Sequence, residues 1–234
     1  MKNDQLKNRR KSMLERTERG FTLVELLVAT FLLPVLFLSL YFLLNMSHVI
    51  LSTNDIFAQL NQSAIQTLRN VSREIAQTNP VATPVRLVIT TDANNNSVIR
   101  FQIPVDWDND GDAVGNGVNN PVEWGAYDEA GQTNTSGILR PDILGRWVRY
   151  SVVNGQLVRE ILDPALATVA GSLRVIANNI SPAAGAFVVA APVNSIVRTT
   201  LTLRGIDQRG QMGAARTFAD VPFMNETLLR VSTN

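Results

Sequence analysis

The chain has 234 residues, 21 Lys and Arg against 20 Asp and Glu, one His and no Cys. That length suits one domain with an appendage or two small domains, and the charge balance argues against nucleic-acid binding through a broad basic field. Without Cys there are no disulfides, thiol nucleophiles or Cys-based zinc sites, and the single His48 removes nearly every His-dependent triad or metal centre.

Residues 1–20 carry seven bases (Lys2, Lys7, Arg9, Arg10, Lys11, Arg16, Arg19) and three acids, whereas the remainder has 14 bases and 17 acids. Such terminal asymmetry points to targeting. Residues 21–44 follow as FTLVELLVATFLLPVLFLSLYFLL, 24 residues with one charge, Glu25, and one Pro, Pro34. As a helix this run is roughly 36 Å long and spans a bilayer core of about 30 Å. The basic flank keeps the N-terminus cytoplasmic and sends the C-terminal bulk across. The run ends in Tyr41–Phe42–Leu43–Leu44 with no A-x-A, unlike a cleaved secretory signal, and no Cys is present to acylate. Pro34 lacks an N–H and is expected to kink or loosen the helix near Thr30. Glu25 either stays wet near the headgroups or pairs with a cation inside an assembly, and its position alone leaves both open.

Past Leu44 the positions Met46, Val49, Thr53, Ile56, Leu60, Ala64, Leu68, Val71 and Ile75 recur at three- and four-residue spacing. This is one face of an amphipathic helix, uninterrupted by Gly or Pro over 45–79 and ended by Asn79–Pro80. One helix is therefore expected from Phe21 to about Thr78. His48 reads as a solvated residue just outside the membrane. From Val81 onward the period moves toward two. Val85–Thr91 and Ser97–Val105 read as strands about an Asp-Ala-Asn-Asn-Asn turn. Asn154–Gly155 marks a two-residue hairpin inside Arg146–Leu162. That register pairs Val153 with Gln156 and sets Val152, Tyr150 and Val148 opposite Leu157, Arg159 and Ile161. These six share a mostly apolar face that meets the helix, with Arg149 and Glu160 as a modest surface ion pair on the other. Ala165–Asn178 is ambiguous and leans toward a short helix. Ser195–Arg204 alternates as a further strand. The fold class is α+β, a long N-terminal helix against an antiparallel sheet.

Asp106-Trp-Asp108-Asn-Asp110-Gly111-Asp112 has the D-x-D-x-D-G spacing of calcium loops, in which alternate oxygens converge on a hard cation and Gly permits the turn. The twelfth position is Gly117 instead of a bidentate Glu, so a remote acid, Glu123 or Asp128, would have to close the shell. A solvated acidic turn is the other reading.

The segment Arg19–Gly20–Phe21–Thr22–Leu23–Val24–Glu25–Leu26–Leu27–Val28–Ala29 resembles the prepilin signature of type IV pilins and type II secretion pseudopilins. The resemblance implies cleavage between Gly20 and Phe21 by a prepilin peptidase, N-methylation of Phe21, and pairing of Glu25 with an N-terminal amine during assembly. It divides the chain into a leader (1–20), a transmembrane segment (21–44), its amphipathic continuation (45–79) and a pilin-like extracytoplasmic β-rich domain (80–234). The implied partners are the peptidase, other major and minor pilins or pseudopilins, and an inner-membrane assembly platform. The implied location is the inner membrane, single-pass, with the C-terminal domain periplasmic, and then the assembled filament. The run W-V-R-Y-S-V…G-Q-L-V-R-E with V-A-G-S-L-R-V-I is similar to J-type minor pseudopilins and W-type minor pilins, and so suggests a tip or initiation complex. No P-loop, G-x-S-x-G, H-E-x-x-H or dinucleotide turn supports an enzyme. A stand-alone bitopic protein with an outer binding domain would explain the span, but not Gly20, Phe21 and Glu25 together. The cofactor expectation is a structural calcium ion at Asp106, Asp108, Asp110 and Asp112.

Overall fold

The computed structural model describes residues 22–79, 85–114, 121–134, 137–207 and 216–229, with backbone alone at 206–207 and 216–219. The chain divides between Leu51 and Ser52 into two units. One helix, α1 (Leu23–Ile75, 53 residues), belongs to both.

In the first unit every described residue of α1 is exposed, including the apolar run Leu23–Leu44. The helix runs on without a break through Pro34. Thr30, whose carbonyl loses the Pro34 donor, turns its own hydroxyl back onto Leu27 O at 2.9 Å. His48 is exposed on the same helix.

In the second unit α1 buries Leu60, Ala64, Leu68, Val71 and Ile75, the outer part of the expected stripe, together with Thr67, Ser72 and Glu74. Regular helix stops at Ile75, a few residues short of expectation. Gln77 N–H and Thr78 N–H then bond only three residues back, to Glu74 O and Ile75 O, which tightens the last turn.

Against this stripe lies a five-stranded antiparallel sheet in the order β1 (Leu87–Thr91), β2 (Ser97–Phe101), β5 (Trp147–Val153), β6 (Gln156–Leu162), β7 (Arg174–Ala177). The β1–β2 turn is held by Asp92 Oδ1, which accepts from Asn94 N–H and Asn96 N–H at 2.8 Å each. Gln102 interrupts the expected Ser97–Val105 strand. Its side-chain amide donates to Gly145 O and Arg146 O, and the chain resumes as β3 (Ile103–Pro104), paired with β4 (Trp124–Gly125). The β5–β6 hairpin has the expected register throughout, with Asn154 and Gly155 both at positive φ as a type I′ turn requires. Arg149 and Glu160 do oppose and pair, but Glu160 is only 7 % exposed, so the pair is not a surface one.

A second sheet has the order β10 (Arg216–Leu228), β9 (Ile196–Asp207), β8 (Phe187–Val189). Val197, Thr199, Leu201 and Leu203 point inward, as their alternation predicts. Asn96 Oδ1 and Ser97 Oγ accept from Phe187 N–H and Val189 N–H, which stitches β8 to the start of β2.

Two sequence expectations need correction. Ala165–Asn178 is not a helix. Leu162 bridges Thr168, Leu166 and Gly171 take positive φ, and β7 adds to the open side of β6. Gly171 breaks the helical pattern, and the unpaired ladder of β6 captures the β-branched Val175–Ile176. Strand β10 has no counterpart in the sequence reading. Its Pro222 argues against a central strand but is tolerated at an edge, which is where β10 lies.

Candidate functional site

Three groupings of polar residues stand out, one at the start of α1 and two in the second unit. At the N-terminus of α1, Thr22 N–H donates to Glu25 Oε2 at 2.9 Å and Glu25 N–H donates to Thr22 Oγ1 at 3.2 Å. The Thr22 hydroxyl also donates to Glu25 Oε2 at 2.9 Å. This is a reciprocal capping box that satisfies two N–H groups which no helical carbonyl can reach. The T-x-x-E spacing signals it in the sequence, in addition to the headgroup and assembly-pairing readings of Glu25. Gly20 and Phe21 lie outside the described residues.

The acidic loop hangs from the β3–β4 ribbon. Carboxylate oxygens of Asp106, Asp108 and Asp110 lie within 4.8 Å of one another. Asp106 is fixed at both ends: its N–H donates to the Tyr127 hydroxyl at 2.9 Å, and its Oδ2 accepts from Gly111 N–H at 3.1 Å. Asn109 and Gly111 at positive φ bend the loop back. Asp106 Oδ1 is buried and accepts no hydrogen bond among the described residues. Asp112 is not brought into the trio; its carboxylate caps Val114 N–H at 2.7 Å. Gly117 lies outside the described residues.

The two remote acids separate clearly. Glu123, opposite Val105 across the ribbon, faces the loop and accepts from Trp107 Nε1 at 2.7 Å. Burial pushes its carboxyl above the usual range, the Trp107 bond opposes this, and the charges of Asp108, Asp110 and Asp106 push it further up. Asp128 is committed elsewhere, to Arg140 and Arg146 at 2.9 Å each.

The third grouping joins α1 to the hairpin. Arg159 Nη2 meets Glu74 Oε1 at 2.8 Å and its Nε meets Oε2 at 3.0 Å. The Tyr150 hydroxyl donates to the same Oε2 at 2.6 Å. Arg159 Nη1 and Nη2 also donate to Asp128 O and Tyr127 O, respectively. Glu74 and Arg159 are each 1 % exposed and Tyr150 is fully buried. Burial works against the Arg159 charge, but the Glu74 bonds and charge more than offset it and hold the guanidinium protonated. The Tyr150 phenol is pushed well up, first by burial and then by the Glu74 carboxylate. The sequence placed Tyr150 opposite Arg159 on the inward face but gave Arg159 no partner. The available signal was Glu74, an acid one turn from Val71 on the buried stripe.

With these geometries in hand, residues 16–41 match the family model described as the prokaryotic N-terminal methylation motif. The chain carries a prepilin-type N-terminus. The matched stretch includes Gly20, Phe21 and Glu25, and it supports placing the chain with type IV pilins and pseudopilins. The prepilin motif overlaps the apolar, exposed first half of α1, which supports a membrane anchor. A long N-terminal helix followed by antiparallel sheets is the pilin-like arrangement that the sequence resemblance implied. No curated protein and no solved structure matches the chain.

Proposed function

We propose that the chain is a minor pilin or pseudopilin, a non-enzymatic structural subunit of a type IV pilus or type II secretion pseudopilus, acting in the tip or initiation complex. The observation that carries this reading is the methylation motif lying across the start of a membrane-length helix. The resemblance of the hairpin and the apolar segment to J-type pseudopilins and W-type minor pilins favours the minor subtype. In this reading a prepilin peptidase cuts after Gly20, Phe21 is N-methylated, and Glu25 pairs with an N-terminal amine as subunits dock. Residues 21–44 cross the inner membrane, 45–79 carry the helix outward, and 80–234 form the periplasmic domain. Major and minor pilins and the assembly platform are the partners.

Gly20 suits its role because it has no side chain to obstruct close approach to the backbone. Gly20→Ala should therefore leave partial cleavage, and a bulky residue there should abolish it. Electrophoresis of membrane extracts from cells with and without prepilin peptidase checks this. The expected mature chain begins at methylated Phe21 by mass spectrometry. An intact chain beginning at Met1 in peptidase-containing cells would favour a stand-alone bitopic protein instead.

Calcium at the acidic loop is the second part of the proposal. The donor set is all hard oxygen, and Asp106 Oδ1 is buried without a hydrogen-bond partner among the described residues, so the residues fit the ion. Asp106, Asp108 and Asp110 would hold it, with Glu123 as the nearby remote acid and Asp112 supporting the following turn. The ion would order the loop in a chain that has no disulfide. Full-length protein in detergent should melt higher in calcium than in chelator. Saturation at 100 times the dissociation constant corresponds to about 2.7 kcal/mol. Asp108→Ala combined with Asp110→Ala should erase the difference, and a melting point indifferent to calcium would return the loop to a solvated acidic turn.

A further inference from the structure

The free edge of the second sheet carries a surface that the proposed function leaves unused. Strand β10 lies at the edge of its sheet, and no described strand pairs with its outer side. The direction of its backbone groups follows from two observations. Leu229 N–H donates to Ser195 O at 2.7 Å, on the β9 side, and Thr202 N–H donates to Ala186 O at 2.7 Å, away from β10. The positions that bond to β9 are thus the odd-numbered ones, opposite Val197, Thr199 and Leu201. Pro222, which has no N–H to lose, falls on an even position, as expected for a residue facing an open edge. Met224, Glu226 and Leu228 therefore turn their N–H and C=O groups outward.

Beside this edge runs α1, joined to β10 by the bond from Asn225 Nδ2 to Ser72 Oγ at 2.6 Å. Between helix and strand lies an open groove of about 620 Å³. Its apolar rim is Ile65, Met224 and Leu228, which are 57 %, 62 % and 70 % exposed. Arg69 on the helix wall is exposed and forms no ion pair with a described residue, whereas the guanidinium of Arg73, one turn on, lies against Gly131, which does not line the groove. Glu226, the acid on the strand wall, is already bound to Arg198 at 2.8 Å and does not neutralise Arg69.

We propose that the edge of β10 from Met224 to Leu228 receives an extended segment of a partner protein, acidic on one face and apolar on the other, as an added strand. A strand paired here alternates its side chains. One set lies over α1, where Arg69 calls for a carboxylate. The other lies level with Met224 and Leu228, which call for apolar groups. The outward N–H and C=O groups require a polypeptide backbone as the occupant. The unneutralised Arg69 sets its charge. This surface is independent of N-terminal processing, so it stands or falls apart from the pilin reading.

The test uses the full-length chain in detergent and three fluorescent octapeptides, read by anisotropy. The probes are alternating Glu-Val, alternating Lys-Val, and Glu-Val methylated on alternate backbone nitrogens. The Glu-Val peptide should bind, the Lys-Val peptide at least tenfold more weakly, and the methylated peptide not at all. Arg69→Glu should reverse the charge preference. Met224→Pro removes an outward N–H without touching the β9 ladder, and should block binding while an unchanged melting curve shows that the protein is folded. No binding, equal binding of all three probes, or binding indifferent to Met224→Pro and to the charge reversal would overturn the proposal. Dimerisation of the chain, abolished by the same variants, would assign the edge to a second copy and overturn the partner assignment.

Discussion

Glu74→Ala should destabilise the second unit by about 3–5 kcal/mol, because removing one member of a buried ion pair leaves the other charge uncompensated. Arg159 would keep its bonds to Asp128 O and Tyr127 O but lose both carboxylate contacts. The Tyr150 hydroxyl would lose its acceptor at the same stroke. Arg159→Met should cost a similar amount, by stranding the carboxylate instead. The double variant Glu74→Leu with Arg159→Met should recover much of the loss, since well-packed apolar replacements for a buried pair are often neutral or better. Tyr150 should then be changed to Phe as well, so that no hydroxyl stays unpaired. Denaturant melts of the full chain in detergent measure all four proteins. Single variants that lose less than 1 kcal/mol would show that the network contributes little to holding the helix.

Glu25→Ala should leave membrane insertion and cleavage intact while filament assembly or secretion falls. In the proposed filament the Phe21 ammonium meets few partners in hydrocarbon, and stranding it costs on the order of 3–5 kcal/mol. The capping box complicates this variant, because loss of the Glu25 side chain also removes the acceptor of Thr22 N–H at the start of the helix. Glu25→Gln separates the two effects. A carboxamide oxygen can still accept from Thr22 N–H, but it carries no charge. Assembly should therefore fail in Glu25→Gln nearly as fully as in Glu25→Ala. Cross-linking to neighbouring pilins and counts of filaments per cell provide the readout, and the expected defect is fewer filaments, not shorter ones. Normal filament number with stably expressed Glu25→Gln would make the charge dispensable and leave only the capping role.

The elements with strong periodicity were legible in the chain. Leu60, Ala64, Leu68, Val71 and Ile75 bury as their spacing requires, and Asn154–Gly155 sets a register that holds from Val153 to Trp147. What was not legible depends on contacts distant in sequence. β7 forms because β6 has an open side, which no local propensity of Ala165–Asn178 reveals. β10 escaped because Pro222 is permitted only by its edge position. The Glu74–Arg159 pair joins residues 85 apart, so each looked like an ordinary charge. In the acidic loop, spacing alone suggested four ligands. The backbone brings three of them together and turns Asp112 toward Val114 N–H.

The placement of the Glu74–Arg159 pair bears on how the protein would carry mechanical load. Tension borne by the first half of α1 passes along an unbroken helical backbone and enters the second unit at Ser52. It meets the apolar contacts of Leu60 and Ala64 first and the charged clasp at Glu74 last. Apolar contacts yield gradually as they slide, whereas a bidentate ion pair holds until its geometry is lost. Within the second unit the clasp lies at the end of the helix away from Ser52, so fraying at Ser52 need not release the domain.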